Sequence, residues 1–79
     1  MSRLVRRSIE VTTIDGLPHT IVDGDNTYTV TTIIDWWMEA GAWWEDEPPR
    51  TMYRVQTQEW FLFDLEFSGG QWSIYRVWD

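Results

Sequence analysis

Acidic side chains lie beside tryptophans near the middle of the chain. Glu45-Asp46-Glu47 follows the pair Trp43-Trp44, and Asp35 precedes the pair Trp36-Trp37. Carboxylates suit hard cations, but this run lacks the spaced Asp, Asn and Gly pattern of a calcium loop. Paired carboxylates near aromatic rings also cleave glycosidic bonds, but nothing in the sequence defines their separation. We therefore interpret the run as a solvated acidic loop, and we predict neither a metal site nor a cofactor.

The other polar residues carry no catalytic signature. His19 is the only histidine in the sequence, and no cysteine or Gly-x-Ser-x-Gly motif accompanies it to form a nucleophilic triad. Gly69-Gly70 is typical of a turn rather than of a phosphate-binding loop. The sequence therefore predicts a protein that is not an enzyme.

Aromatic rings together with arginines indicate a binding function instead. Single-stranded nucleic acid is one candidate ligand, because its bases stack on aromatic side chains. Arg54 and Arg76 would form a basic strip if they lay side by side on adjacent strands, but they could equally pair with Asp64 and Glu66 across the sheet. The net charge of −7 repels phosphate backbones at long range, so nucleic acid is the weaker alternative.

A protein partner is the stronger candidate. Tryptophan is enriched at binding hot spots, and an acidic rim around aromatic anchors selects a basic partner. The predicted partner-binding residues are Trp37, Trp44, Glu45, Asp46 and Glu47. Strand alternation directs Trp36 inward and Trp37 outward. We accordingly expect Trp36 and Trp43 to be mainly buried, with one member of each pair left at the acidic surface.

The elements that would position these residues are short strands. Hydrophobic alternation and turn signals predict six of them, over 8–14, 19–23, 27–37, 50–58, 60–67 and 71–79. The predicted fold is all-β: a small, curled antiparallel sheet or an SH3-like, half-open barrel, with at most one helical turn near residues 38–42. Residues 1–7, with three arginines, are predicted to be a basic tail, and residues 8–79 a single small domain.

The small size of the chain limits how it can fold and where it can act. Seventy-nine residues without cysteine must bury most of their aromatic side chains, and a homodimer would be a second route to enough buried surface. No apolar run approaches the roughly 20 residues of a membrane span, and no signal-peptide core is evident. We therefore expect a cytoplasmic protein with no membrane partner.

Three segments together resemble a small bacterial Trp-Trp domain family. They are Gly41 to Pro48 (Gly-Ala-Trp-Trp-Glu-Asp-Glu-Pro), Tyr53-Arg54-Val55, and the ending Trp72 to Asp79 (Trp-Ser-Ile-Tyr-Arg-Val-Trp-Asp). In that family Gly-x-Trp-Trp-x-x-Glu is followed by Tyr-Arg-Val, and the chain closes on Tyr-Arg-Val-aromatic-Asp. The resemblance covers residues 8–79.

Members of that family occur alone and as appendages to inactive relatives of Y-family translesion polymerases. The resemblance therefore implies an interaction module linked to bacterial DNA damage tolerance, and it implies no catalytic residues. The family carries more arginine around the segment that corresponds to residues 35–39, and this departure weakens a direct DNA-binding role for the present chain.

Overall fold

Six antiparallel strands form a closed barrel in chain order. The computed structural model describes residues 2–41, 43–46 and 48–78, and the side chains of residues 3–41, 44–46 and 48–78. The strands are β1 (Ser2–Ile14), β2 (Leu17–Asp23), β3 (Asn26–Glu39), β4 (Arg50–Thr57), β5 (Leu62–Ser68) and β6 (Gln71–Trp78). The predicted all-β class is confirmed, and the barrel is closed rather than half-open. The helical turn lies at Trp43–Glu45, just after the predicted position.

The N-terminal arginines belong to the barrel. Ser2 to Leu4 pair with β6, from Ser2 opposite Trp78 to Leu4 opposite Arg76. The prediction of a basic tail over residues 1–7 is therefore wrong for the six residues that lie in β1. The arginines concealed the strand because their side chains are exposed, while Val5 between them packs against the core. This pairing joins β6 to β1 and closes the barrel.

Tight turns fold the strands into hairpins, as the sequence predicts. Asp15 and Gly16 connect β1 to β2, and both have positive φ angles, of 54° and 79°. Two successive positive φ angles are typical of the type I′ turn, whose twist matches that of paired strands. Gly24, with φ of 60°, begins the turn between β2 and β3, and glycine adopts this angle without the steric cost of a Cβ atom.

The core has an aliphatic centre and an aromatic cluster at each end of β5. The fully or nearly fully buried residues of the central cluster are Ile21, Val55, Phe63, Leu65, Ile74 and Val77. At one end Tyr28 meets Phe61 and Phe63 edge-on, with both pairs of ring centroids 5.2 Å apart. At the other end Trp72 lies 4.7 Å from Phe67 and 5.5 Å from Tyr53. These contacts show that much of the aromatic content serves the fold.

Bulges change which side chains face the core. The register of β3 against β4 shifts twice, once between Val30 and Thr32 and again between Ile33 and Asp35. Each extra residue reverses the alternation, so Val30 and Ile33 both pack against the core. Strict alternation along β3 from the inward Trp36 would place Thr32 and Ile34 on the inner face as well, but both are exposed. The register of β6 against β5 shifts in the same way next to Arg76, and Ile74 and Val77 become the buried pair.

Candidate functional site on the outer face and open edge of the barrel

Arg50 links two acidic residues on the outer face of the barrel. Its Nη2 atom lies 2.6 Å from Oε1 of Glu39, and its Nη1 atom lies 2.8 Å from Oε2 of Glu66. These residues lie on β3, β4 and β5. On β6, the ring centroid of Tyr75 lies 4.7 Å from the guanidinium carbon of Arg50. Burial opposes the charge of Arg50, but its hydrogen bonds to Glu39, Glu66 and Tyr75 raise its pKa. Arg50 therefore ties four adjacent strands together.

Trp37 extends this network to the far side of Glu39. The indole Nε1–H of Trp37 donates a hydrogen bond of 2.8 Å to Oε2 of Glu39. This bond, followed by the hydrogen bond from Arg50, holds the pKa of the Glu39 carboxyl below its usual range. Both carboxylate oxygens of Glu39 thus accept hydrogen bonds that stabilise its charge, Oε2 from Trp37 on the same strand and Oε1 from Arg50 on β4.

Arg54 forms the second half of the network. Its Nε donates to Oδ1 of Asp64 at 2.9 Å, and its Nη2 donates to Oδ2 at 3.3 Å. The guanidinium carbon lies 5.3 Å from the ring centroid of Trp37 and 4.8 Å from that of Trp78. The hydrogen bonds to Asp64 raise the pKa of Arg54, and the charge of Asp35 acts in the same direction. Asp64 therefore balances the charge of Arg54, whose guanidinium lies over two aromatic rings while 33% of its side chain stays exposed.

Arg54 and Arg76 do not lie on adjacent strands. Strand β5 separates them, and Asp64 stands opposite both arginines in the two registers. Asp64 is 3% exposed, which makes it a buried counter-ion. Arg76 lies over the ring of Trp78 at 5.3 Å, so both guanidinium groups contact the same indole. Of the two arrangements left open by the sequence, the pairing of Arg54 with Asp64 is the one that forms.

We call these residues the outer cluster: Trp37, Glu39, Arg50, Arg54, Asp64, Glu66, Tyr75, Arg76 and Trp78. Met52 lies on the same face, opposite Trp37 in the register, and is only 1% exposed. A methionine buried outside the barrel core indicates that the outer cluster is a second packed layer. The buried Nε1–H of Trp78 has no hydrogen-bond acceptor among the described residues. Arg50 and Arg54, by contrast, are paired with carboxylates of the same cluster.

A different surface lies along the C-terminal half of β3. Ile34, Trp36 and Met38 are 50%, 59% and 67% exposed. In the described part of the chain, β2 pairs with β3 only as far as Thr29, and beyond it β4 is the one strand beside β3. We call the unpaired side of residues 33–39 the open edge of β3. It combines exposed apolar side chains with backbone groups that face no neighbouring strand.

The two tryptophan pairs divide differently from the prediction. Trp36 stands opposite Tyr53, which packs against the core, so the predicted inward direction of Trp36 is confirmed. Its predicted burial is wrong: Trp36 is 59% exposed, and among the described residues β4 is the one strand beside this part of β3. Trp37 points outward as predicted, but it is half-buried in the outer cluster. The side chain of Trp43 is outside the described residues.

The predicted partner-binding residues are thus only partly accessible. Trp44 is 69% exposed, and Glu45 and Asp46 are exposed beside it in the turn after β3. Glu47 lies outside the described residues. Trp37, by contrast, is held by Glu39 and Arg54.

Comparison with models of known protein families, with curated proteins and with solved structures finds no match. The resemblance to the Trp-Trp domain family therefore stays a prediction. Within residues 2–41, 43–46 and 48–78, no three histidine, aspartate or glutamate side chains are grouped to hold a metal ion. The same residues include no helix long and apolar enough to cross a membrane.

Sequence reasoning missed the exposure of Ile34 and Met38. The sequence places Ile34 in a strand and Met38 at the start of the possible helical turn, and neither position by itself predicts an exposed apolar side chain. The signal that was available is the short length of β2, which begins directly after the Asp15-Gly16 turn and pairs with β3 only from Thr20 onward. Its consequence for β3 becomes visible only when the strand order is known.

Proposed function

We propose that this protein is a non-catalytic module that binds a basic segment of another protein. The side chains that carry the proposal are Trp36 and Met38 on the open edge of β3 and Trp44 in the turn that follows it, all of them exposed. The acidic residues Asp35, Glu45 and Asp46 accompany them along the chain. The single observation that supports it best is the joint exposure of Trp36 and Met38, at 59% and 67%, on the part of β3 that has β4 as its one described neighbour.

A partner that covered these exposed apolar side chains would gain binding free energy by removing their surface from water. A large aromatic side chain covers about 150–250 Å² when buried, so a partner that covered Trp36 and Trp44 would remove a substantial apolar area from solvent. Exposed apolar side chains that are grouped together mark interaction sites more often than scattered ones do. The carboxylates around them favour lysine and arginine over acidic residues in the partner.

The outer cluster gives less support to the binding of single-stranded nucleic acid. Arg54 is already paired with the buried carboxylate of Asp64, and the protein as a whole carries a charge of −7. The resemblance to the Trp-Trp domain family suggests a bacterial DNA damage tolerance assembly as the setting, and this part of the proposal rests on the resemblance alone.

The test is affinity capture from bacterial lysate with matched tryptophan variants, followed by binding of the purified partner. Trp36→Ala and Trp44→Ala should each weaken binding of that partner at least tenfold, whereas Trp60→Ala should not. Trp60 is the matched control because it is 84% exposed and lies in the loop between β4 and β5. Equal binding by all three variants would disprove the proposed surface.

A fluorescent single-stranded oligonucleotide at low salt supplies the second arm of this test. We expect no binding. Strong binding that falls steeply with salt concentration would favour the nucleic-acid function instead.

A further inference from the structure

The open edge of β3 offers backbone hydrogen bonds as well as apolar side chains. The N–H of Trp36 donates a hydrogen bond of 2.8 Å to Oδ1 of its neighbour Asp35. This amide therefore does not contribute to the ladder with β4. Because the N–H and C=O of one residue point to the same side of an antiparallel strand, and alternate residues point to opposite sides, Met38 also faces the open edge.

A groove lies beside β3 where β2 stops pairing with it. The last pair of that ladder is Thr20 with Thr29. Beyond it Pro18 has no N–H to donate, and β3 bulges after Val30. The groove has a volume of about 310 Å³, and its apolar walls include Ile14, Leu17, Val30 and Ile33. A strand that occupied the open edge would reach this groove with its end.

We propose that the open edge of β3 binds its partner by strand addition, and that the occupant is an extended segment alternating apolar residues with lysine or arginine. This proposal rests on the proposed function and names the way in which the partner binds. In strand addition, main-chain hydrogen bonds supply affinity and alternate side chains supply specificity. The N–H and C=O groups of Trp36 and Met38 would pair with the incoming backbone.

The charge of the chain selects the basic occupant over a second copy of this protein. Two copies would each bring a net charge of −7 to the contact. A basic segment would instead meet Asp35 on the edge itself, and Glu45 and Asp46 in the exposed turn that follows. When the segment bonds to the N–H of Trp36, the carboxylate of Asp35 is released to pair with a cationic side chain.

The test on the protein compares Met38→Pro with Met38→Ala. Both variants lose the side chain, but only proline also removes the N–H that faces the open edge, where proline is tolerated. The probe is a fluorescent peptide of about nine residues that alternates valine with arginine or lysine. We expect Met38→Pro to weaken its binding at least tenfold relative to Met38→Ala. Circular dichroism confirms that both variants are folded.

The test on the peptide uses the unaltered protein, so it does not depend on how the variants fold. Two versions of the probe carry N-methyl groups on alternate residues, in opposite registers. Strand addition requires that one version loses binding at least tenfold while the other retains it. An acidic counterpart of the probe should not bind.

Each contrary result overturns the inference in a distinguishable way. Strand addition is disproved if both methylated peptides bind like the parent peptide and Met38→Pro binds the probe as tightly as Met38→Ala. In that case, loss of partner binding by Trp36→Ala would still support the proposed function. If the unmodified probe does not bind at about 1 mM and low salt, the basic occupant is disproved. If sedimentation shows a dimer that Met38→Pro dissociates, a second copy occupies the edge and the inference is wrong.

Discussion

Replacement of Arg50 by alanine tests whether the outer cluster holds the sheet together. The change removes the guanidinium group that bridges Glu39 and Glu66, and it uncovers the ring of Tyr75. The two carboxylates then remain partly buried without their shared cation. We expect a large loss of stability with no change of fold.

The size of the loss follows from the geometry. Hydrogen bonds to charged groups contribute about 1.5–3 kcal/mol when buried, while exposed ion pairs contribute about 0.2–1 kcal/mol. The side chain of Arg50 is 19% exposed, so each of its two carboxylate contacts falls between these limits, near 1 kcal/mol. The contact with Tyr75 adds about 0.5 kcal/mol. The free energy of unfolding should therefore fall by about 2.5 kcal/mol, which lowers Tm by about 10–20 °C in a domain of this size.

The measurement is urea unfolding at pH 7, followed by tryptophan fluorescence and circular dichroism. Arg50→Lys is the control, because it keeps the charge but cannot form the forked hydrogen bonds, and it should lose about half as much. A loss below about 0.5 kcal/mol for Arg50→Ala would refute the structural role of the cluster.

The pH dependence provides a second check on the same variant. The folded state lowers the pKa of Glu39 below its ordinary value of 4.5. Its contribution to stability is therefore present above about pH 4.5 and is lost as the pH falls through the lower folded pKa. The difference between the unaltered protein and Arg50→Ala should shrink over this acidic range. A difference that stays constant until the protein unfolds in acid would contradict the assigned ion pairs.

Three further predictions concern stability and use the same urea assay. Met52→Ala should lower the free energy of unfolding by about 2–4 kcal/mol, because this methionine is 1% exposed beneath the outer cluster, and a value near zero would show that the layer is loosely packed. Trp60→Ala should change stability by less than about 0.5 kcal/mol, since its indole is 84% exposed, and a larger effect would mean that the loop is packed. Gly24→Ala should cost about 1 kcal/mol through its φ of 60° alone, because an added Cβ meets no atom within 4 Å, and an unchanged stability would argue against the positive φ.

Much of the fold could be predicted from the residues, because hairpin signals are local. Asp15-Gly16 and Ser68-Gly69-Gly70 mark turns wherever they occur between alternating apolar segments, and the structure has a hairpin at each. The alternation of Phe63 and Leu65 with Asp64 and Glu66 likewise predicted the faces of β5 correctly. The strand Ser2 to Arg7 escaped prediction because its arginines hide the alternation.

The candidate site could be predicted only in part, because bulges and strand order are not local. The run of Thr, Ile and Trp in β3 looks like a regular strand, and nothing in it marks the two register shifts that reverse its faces. Composition and spacing alone showed that tryptophans and carboxylates come together near residues 35–47, that this chain is all-β, and that its aromatics must largely serve the core. The tertiary structure decided which indole is free. Trp36 is exposed because the ladder between β2 and β3 ends at Thr20 and Thr29, which leaves the rest of β3 with one neighbour among the described residues. Trp37 is half-buried because Arg54 of β4 lies over its ring and Glu39 accepts its indole N–H.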